Sequence, residues 1–281
     1  MRKLKEYLNK PLSFAVFLLI IISTVITALT VVFIIGYIFI KGVPNLSLDL
    51  FSLKYSSSNQ SMLPSIINTV YLTALTLLLA VPIGIFSAIY LAEYSRKNSF
   101  FVKIINIANE TLSGIPSIVY GLFGFLAFVI SKKWGYSLLA GVITLAIMVL
   151  PLIIRTSQEA MLGVDNTFRE ASYGLGAGKL RTVFKIVLPS AMPGILSGII
   201  LAIGRIVGET AALIYTAGTV PEAATKLTSS SRTISVHLYC LLNEGLYTEQ
   251  AYATAVVLIV FVVIINALSN ALAKKIMKQN E

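Results

Sequence analysis

The sequence predicts an all-α integral membrane protein with six transmembrane helices. Two observations carry that prediction. Hydrophobic residues fill 57% of the 281 positions and charged residues only 12%, against about 25% charged in a soluble domain. The mean hydropathy of +0.86 leaves far more apolar surface than water could cover, so the bilayer is the natural solvent. Six apolar runs each approach or exceed the roughly 20 residues a spanning helix needs. They cover residues 13–40, 65–92, 106–130, 136–154, 192–215 and 251–273.

The first run follows Met1-Arg2-Lys3-Leu4-Lys5 and is charge-free from Pro11 to Ile40. A signal peptide's apolar region is only about 7–15 residues and ends at a small-residue cleavage site. This run is longer and has no such site, so it reads as a retained helix. It and the second run exceed the bilayer thickness, which predicts tilt or protrusion.

Orientation follows from the basic residues. With the N-terminus inside, the inner segments hold Arg2, Lys3, Lys5, Lys10, Arg96, Lys97, Lys103, Arg155, Arg169, Lys179, Arg181, Lys185, Lys274, Lys275 and Lys278. The outer segments hold only Lys41, Lys54, Lys132, Lys133, Lys226 and Arg232. That bias places both termini in the cytoplasm. It also accounts for the net charge of +10 without nucleic acid, because the cations sit in short segments between apolar runs. One cysteine, Cys240, cannot form an internal disulfide, and one His with one Cys predicts no metal site. His237 and Cys240 are expected outside the bilayer in structural roles. Residues 234–242 could form a short interfacial helix. No internal repeat or low-complexity segment divides the chain, which reads as one domain.

The inner loop, residues 155–190, is the most informative segment. Thr167 and Glu170 are spaced as a capping box. Phe168, Ala171 and Leu175 then fall on one helical face, and Gly176 and Gly178 are expected to end the helix. Two or three turns are marginal alone in water, so the apolar face invites a partner surface. A plain surface turn is the alternative. The wider pattern decides: Glu170-Ala171, Gly176 six positions after the Glu, nine residues, then Ile186-x-Leu188-Pro189. This resembles the EAA motif of the inner-membrane subunits of binding-protein-dependent ABC importers, departing at Ser172, where an alanine is usual. The resemblance implies the permease fold of type I ABC importers. It also implies that Thr167, Phe168, Glu170, Ala171, Leu175, Gly176, Leu188 and Pro189 belong to a coupling helix and its flank, docked on a cytoplasmic ATPase.

Gly174-Leu-Gly-Ala-Gly178-Lys179 is not a phosphate-binding P-loop. The required upstream Gly is Tyr173, and the Ser or Thr after Lys is Leu180. The chain is therefore expected to be a non-catalytic permease without cofactor, with ATP and magnesium bound by a separate subunit.

The fifth run carries a charge pair, Arg205 and Glu209. By helical rise Arg205 lies about 24 Å beyond Pro189, where a charge costs at least roughly 2.5–3.5 kcal/mol. On a continuous helix the two are i, i+4 neighbours on a small or polar stripe with Gly194, Gly198, Ala212 and Thr216. A buried brace between helices is one reading. A pore-facing anion site is the other, since a guanidinium fork suits phosphate and Glu209 could accept a hydrogen bond from a protonated phosphate oxygen. Gly204-Arg205-x-x-Gly208-Glu209-Thr210-Ala211-Ala212 resembles the signature of the phosphate permease subunits of ABC importers, as does Gly114-Ile-Pro116-Ser-Ile-Val-Tyr-Gly121-Leu-Phe-Gly124. The resemblance implies inward translocation of inorganic phosphate through Arg205, Gly208, Glu209 and Thr210. It also implies a related permease as heterodimer partner, two ATPase subunits, an extracytoplasmic phosphate-binding protein and a prokaryotic inner-membrane location. Another oxyanion, such as sulfate or molybdate, is the nearest alternative. A self-contained secondary transporter would often show inverted repeats, and none is seen.

Gly114 and Pro116 are expected to break the third helix, as a flexible segment or as a static kink. Glu110 is expected at the inner interface. Thr69, Thr73, Thr76, Ala80 and Ser87 form a small polar stripe suited to helix packing.

Overall fold

A computed structural model describes residues 11–95 and 99–278. Arg2, Lys3, Lys5, Lys10, Arg96 and Lys97, which contribute to the orientation argument, lie outside the described residues. The described residues are helical and contain no strand.

Helix α1, Pro11–Gly42, is exposed along its length and packs on the last helix, α11, Thr248–Lys278. Helix α2, Leu63–Ile89, continues through a π turn, Tyr90–Tyr94. It packs most extensively on α5, Leu138–Leu162, and together they form the centre of the bundle. Thr69, Thr73, Thr76 and Ala80 are buried on α2, where small side chains let helices approach closely. Leu72, Leu145, Met148, Val149 and Ile153 fill the core between them.

The third apolar run is not one helix. Helix α3, Phe100–Ser113, and the segment Ser117–Ser131 meet at 100°. The second segment consists of α4, Ser117–Gly124, and a π stretch, Phe125–Ser131. Its 15 residues rise only about 22 Å, short of the roughly 30 Å hydrocarbon core. Gly114, Ile115 and Pro116 make the corner, and Pro116 takes an extended conformation that cannot continue α3 (φ −58°, ψ 140°). Tyr120 Oη donates to the Leu112 carbonyl across the corner at 2.8 Å, which makes this a braced bend.

The inner loop is shorter than the expected 155–190, because α5 runs on to Leu162. It contains α6, Asn166–Gly174, and α7, Lys179–Thr182, followed by a π turn, Val183–Val187, and α8, Leu188–Val207. The π turn directly precedes Leu188-Pro189. Proline has no N–H and its ring crowds the carbonyl one turn back, so a locally widened helix is the natural accommodation.

The fifth run is also broken. Helix α8 ends at Gly208, and α9, Ala211–Thr216, begins after Thr210. Helix α10, Ile234–Glu244, buries Ile234, Ser235, Val236, His237 and Leu241, and Val236 joins the core around Leu72 and Leu145. It packs against α2 and α11 as part of the protein interior, rather than lying on the surface as an interfacial helix.

Candidate translocation site and coupling loop

The break after α8 changes the geometry expected of Arg205 and Glu209. A continuous helix would have made them i, i+4 partners. Instead Gly208 closes α8, its N–H bonding to the Gly204 carbonyl at 3.2 Å, and Thr210 adopts φ −125°, ψ −54°. No salt bridge joins Arg205 to Glu209 among the described residues. The Glu209 carboxylate accepts from the Ala212 N–H at 3.1 Å and is only 8% exposed. It therefore satisfies an orphan amide in the first turn of α9, where the helix dipole favours negative charge. The shared face does not survive this arrangement, and the Glu209 carboxylate is turned to the first turn of α9 instead.

The small stripe divides in the same way. Gly194 and Gly198 let α8 approach Ala160 and Thr156 of α5; a Cβ at Gly194 would stand 2.6 Å from that of Ala160. Ala212 and Thr216 face α4 instead. A Cβ at Gly121 would meet the Ala212 Cα at 2.8 Å, and one at Gly124 would meet the Thr216 methyl at 2.7 Å. Gly121 and Gly124 thus seat α9 against α4, which sets where Glu209 and the break lie.

Arg205 points into different surroundings. It lines a cavity of about 560 Å³ shared by α5, α8 and α11, together with Leu152, Ser197, Leu201, Gly204 and Asn266. Asn266 was not anticipated. Its Oδ1 is buried and has no hydrogen-bond partner among the described residues. The available signal was an amide at the end of the apolar run Val256–Ile265.

In the loop between α5 and α8, the N-cap of α6 is Asp165 rather than Thr167. Asp165 Oδ1 accepts from the Thr167 N–H at 2.9 Å and its hydroxyl at 3.0 Å. These bonds, the amide first, hold the Asp165 carboxyl below the usual carboxylate range. Glu170 is exposed and makes no capping bond. Gly176 alone ends this helix, at φ +80°, where a residue with a side chain would be strained. Gly178 instead caps α7 in an extended conformation. Phe168 and Leu175 are 55% and 90% exposed, so the loop carries an uncovered apolar face. Ser172 is buried and hydrogen-bonds Thr182 Oγ1 at 2.8 Å, tying α6 to α7 in a way alanine could not.

Arg169 was read from sequence only as one of the inner cations. The structure gives it a specific place. Its Nη2 and Nε reach Glu93 Oε1 at 2.7 and 3.1 Å. Nη2 also donates to the Met161 carbonyl at 2.8 Å, and Nη1 to that of Val164 at 2.7 Å. The Lys179 ammonium lies over the Tyr94 ring, 4.8 Å from its centroid. The loop that carries α6 and α7 is thereby tied to the π turn of α2. Glu110 lines a second cavity of about 240 Å³ with Asn106, Asn109, Arg155, Gln158 and Glu159.

Broken spans around a half-buried cation, with a small exposed apolar helix at one end, define a multi-pass membrane permease subunit. The family described as "Binding-protein-dependent transport system inner membrane component" matches residues 80–278. The chain belongs to that family. It is 35% identical over 275 residues to the "Phosphate transport system permease protein PstA" of Pasteurella multocida, covering 94% of this chain and 93% of that protein. It is 32% identical over 262 residues to the "Probable ABC transporter permease protein YqgI" of Bacillus subtilis, covering 87% and 89% respectively. Among solved structures, a bacterial alginate ABC transporter with its pentasaccharide-bound periplasmic protein superposes with a TM-score of 0.68 over 99% of both chains at 18% identity. The MetNI methionine ABC transporter gives a TM-score of 0.58 at 17% identity, covering 76% of this chain and 93% of that one. These two likenesses establish the fold.

Proposed function

We propose that this chain is the membrane-spanning subunit of an ATP-driven importer that carries inorganic phosphate into a prokaryotic cell, with both termini in the cytoplasm. The observation that carries the proposal is Arg205. It lines a cavity inside a spanning segment and has no acidic partner among the described residues. A charge kept at that depth is expensive and marks a functional site by default. A planar guanidinium suits a tetrahedral oxyanion. The relatives named as phosphate transport permeases support phosphate as the cargo.

The partners follow from that reading. A related, PstC-like permease completes a heterodimer and closes the open side of the Arg205 cavity. Two cytoplasmic ATPase subunits bind ATP and magnesium and grip the exposed face of α6. An extracytoplasmic phosphate-binding protein delivers cargo to the outer loops, and lipid surrounds α1. Closure of the ATPases moves α6, and the Arg169–Glu93 clamp passes that movement to α2.

The test is uptake by the full complex in vesicles supplied with ATP and the binding protein. Accumulation of phosphate well above sulfate is expected. Equal uptake of sulfate would identify a general oxyanion importer, and uptake without ATP would overturn the proposal.

A further inference from the structure

We propose that the first turn of α10 bridges α2 to the Arg205 end of α8, and that Thr69 and Ser235 are the positioning residues through which movement of the α6 loop reaches the cargo site. The proposal rests on the importer reading above and deepens it.

Two buried hydrogen bonds build the bridge. The Thr69 hydroxyl on α2 accepts from the Ile234 N–H at 2.9 Å. The next residue, Ser235, donates its hydroxyl to the Val207 carbonyl at 2.5 Å. Each bond serves a group that its own helix leaves unpaired, because Ile234 is the first residue of α10 and Val207 the last of α8. Thr69, Ser235 and Val207 are at most 3% exposed, so water does not replace either partner. Asn68 braces the same junction. Its amide donates to the carbonyls of Glu222 and Arg232, at 3.0 and 3.2 Å, and accepts from the Ala224 N–H at 2.8 Å. The segment that leads into α10 is thereby fastened to α2 as well.

The bridge lies where it bears on the cargo site. Arg205 is in the last turn of α8, two residues before Val207. A Cβ at Gly204 would meet nothing within 4 Å, so the cavity side of that turn is unpacked. The Ser235 bond holds the end of the turn. About 36 Å along α2 from Thr69, by helical rise, the π turn holds Glu93 against Arg169 of the α6 loop. Packed helix faces shear by small sliding, whereas a directional hydrogen bond resists it. A shift of α2 driven from the α6 loop therefore carries the Arg205 turn with it.

The experiment uses the complete reconstituted complex with its binding protein and reads phosphate accumulated per ATP hydrolysed, alongside the melting temperature. Thr69→Val and Ser235→Ala each remove one hydroxyl with little change in volume. Each is expected to lower the ratio about fivefold, the scale of one buried hydrogen bond. Thr69→Ser keeps the hydroxyl and stays near wild type. Combining Thr69→Val with Ser235→Ala lowers the ratio no further than either alone, because breaking either bond opens the same bridge. Two independent packing defects would instead multiply, to about twenty-five-fold. If Thr69→Val does not assemble, the ratio in Ser235→Ala decides. A wild-type ratio in the single variants, or a multiplied loss in the double, overturns the bridge; loss of uptake in Arg205→Ala then leaves the importer reading standing. Uptake without ATP by the wild-type complex would overturn that reading and the bridge with it.

Discussion

Arg169 Nη2 lies 2.7 Å from Glu93 Oε1, joining residues 76 positions apart. The two side chains are 13% and 6% exposed, so the pair is well shielded from water and salt. The same guanidinium holds the carbonyls of Met161 and Val164 at the end of α5. One side chain therefore gathers α2, α5 and α6 at one end of the bundle.

Removing one member of such a pair strands the other. Arg169→Ala leaves the Glu93 carboxylate buried and unpaired and is expected to destabilise the inner end by about 3–5 kcal/mol. Arg169→Lys keeps a charge but cannot reach Glu93 and both carbonyls together, so a smaller loss is expected. Thermal denaturation of the purified complex measures both. Coupling is read separately, as phosphate moved per ATP hydrolysed. That ratio should fall in Arg169→Lys even where the complex remains assembled.

The exposed face of α6 predicts a different outcome. Leu175→Glu places a charge on a residue that is 90% exposed in the isolated chain, so this subunit's own fold should be unaffected. If that face is the ATPase dock, the buried anchor is lost and association weakens by about 2 kcal/mol, roughly thirtyfold. Co-purification of the ATPase with the permease subunit checks this. Full retention would place the dock elsewhere.

Much of the architecture was legible because apolar runs record the bilayer directly. The breaks inside those runs were less legible. Pro116 announced one. Gly208-Glu209-Thr210 did not, because every residue there is tolerable within a helix and hydropathy averages over it. The ion pair expected between Arg205 and Glu209 followed from assuming helical continuity. The cap of α6 was misplaced by two residues, from Asp165 to Thr167, since both types cap well and spacing alone favoured the Thr-x-x-Glu pattern. Arg169 and Glu93 could not have been paired by any local pattern, because only the packing of α6 beneath α2 brings them together. Asn266 carried a readable signal, an amide within an apolar helix, but its place beside Arg205 depends on how α11 crosses α8.

His237 gives a pH prediction. It is fully buried beneath the Tyr55 ring, at 6.4 Å between centroids. Burial first, and then the nearby Arg232 charge, lower its pKa from the ordinary 6.5 to about 3. The folded protein thus keeps a neutral imidazole where the unfolded chain takes up a proton. Above pH 6.5 this has no effect. As pH falls from 6.5 toward 3, stability is lost at up to about 1.4 kcal/mol per pH unit. His237→Gln should reduce the dependence of the melting temperature on pH between 6.5 and 4. An unchanged slope would show that His237 already carries its proton when folded.

The central claim is that Arg205 receives the anion as it crosses the membrane. The most direct measurement is ATP-dependent phosphate uptake by vesicles containing the complete complex, comparing wild type with Arg205→Ala and using ATP hydrolysis to confirm assembly. The account predicts uptake reduced at least a hundredfold in the variant, while the complex still assembles and hydrolyses ATP. Wild-type uptake by Arg205→Ala would contradict it.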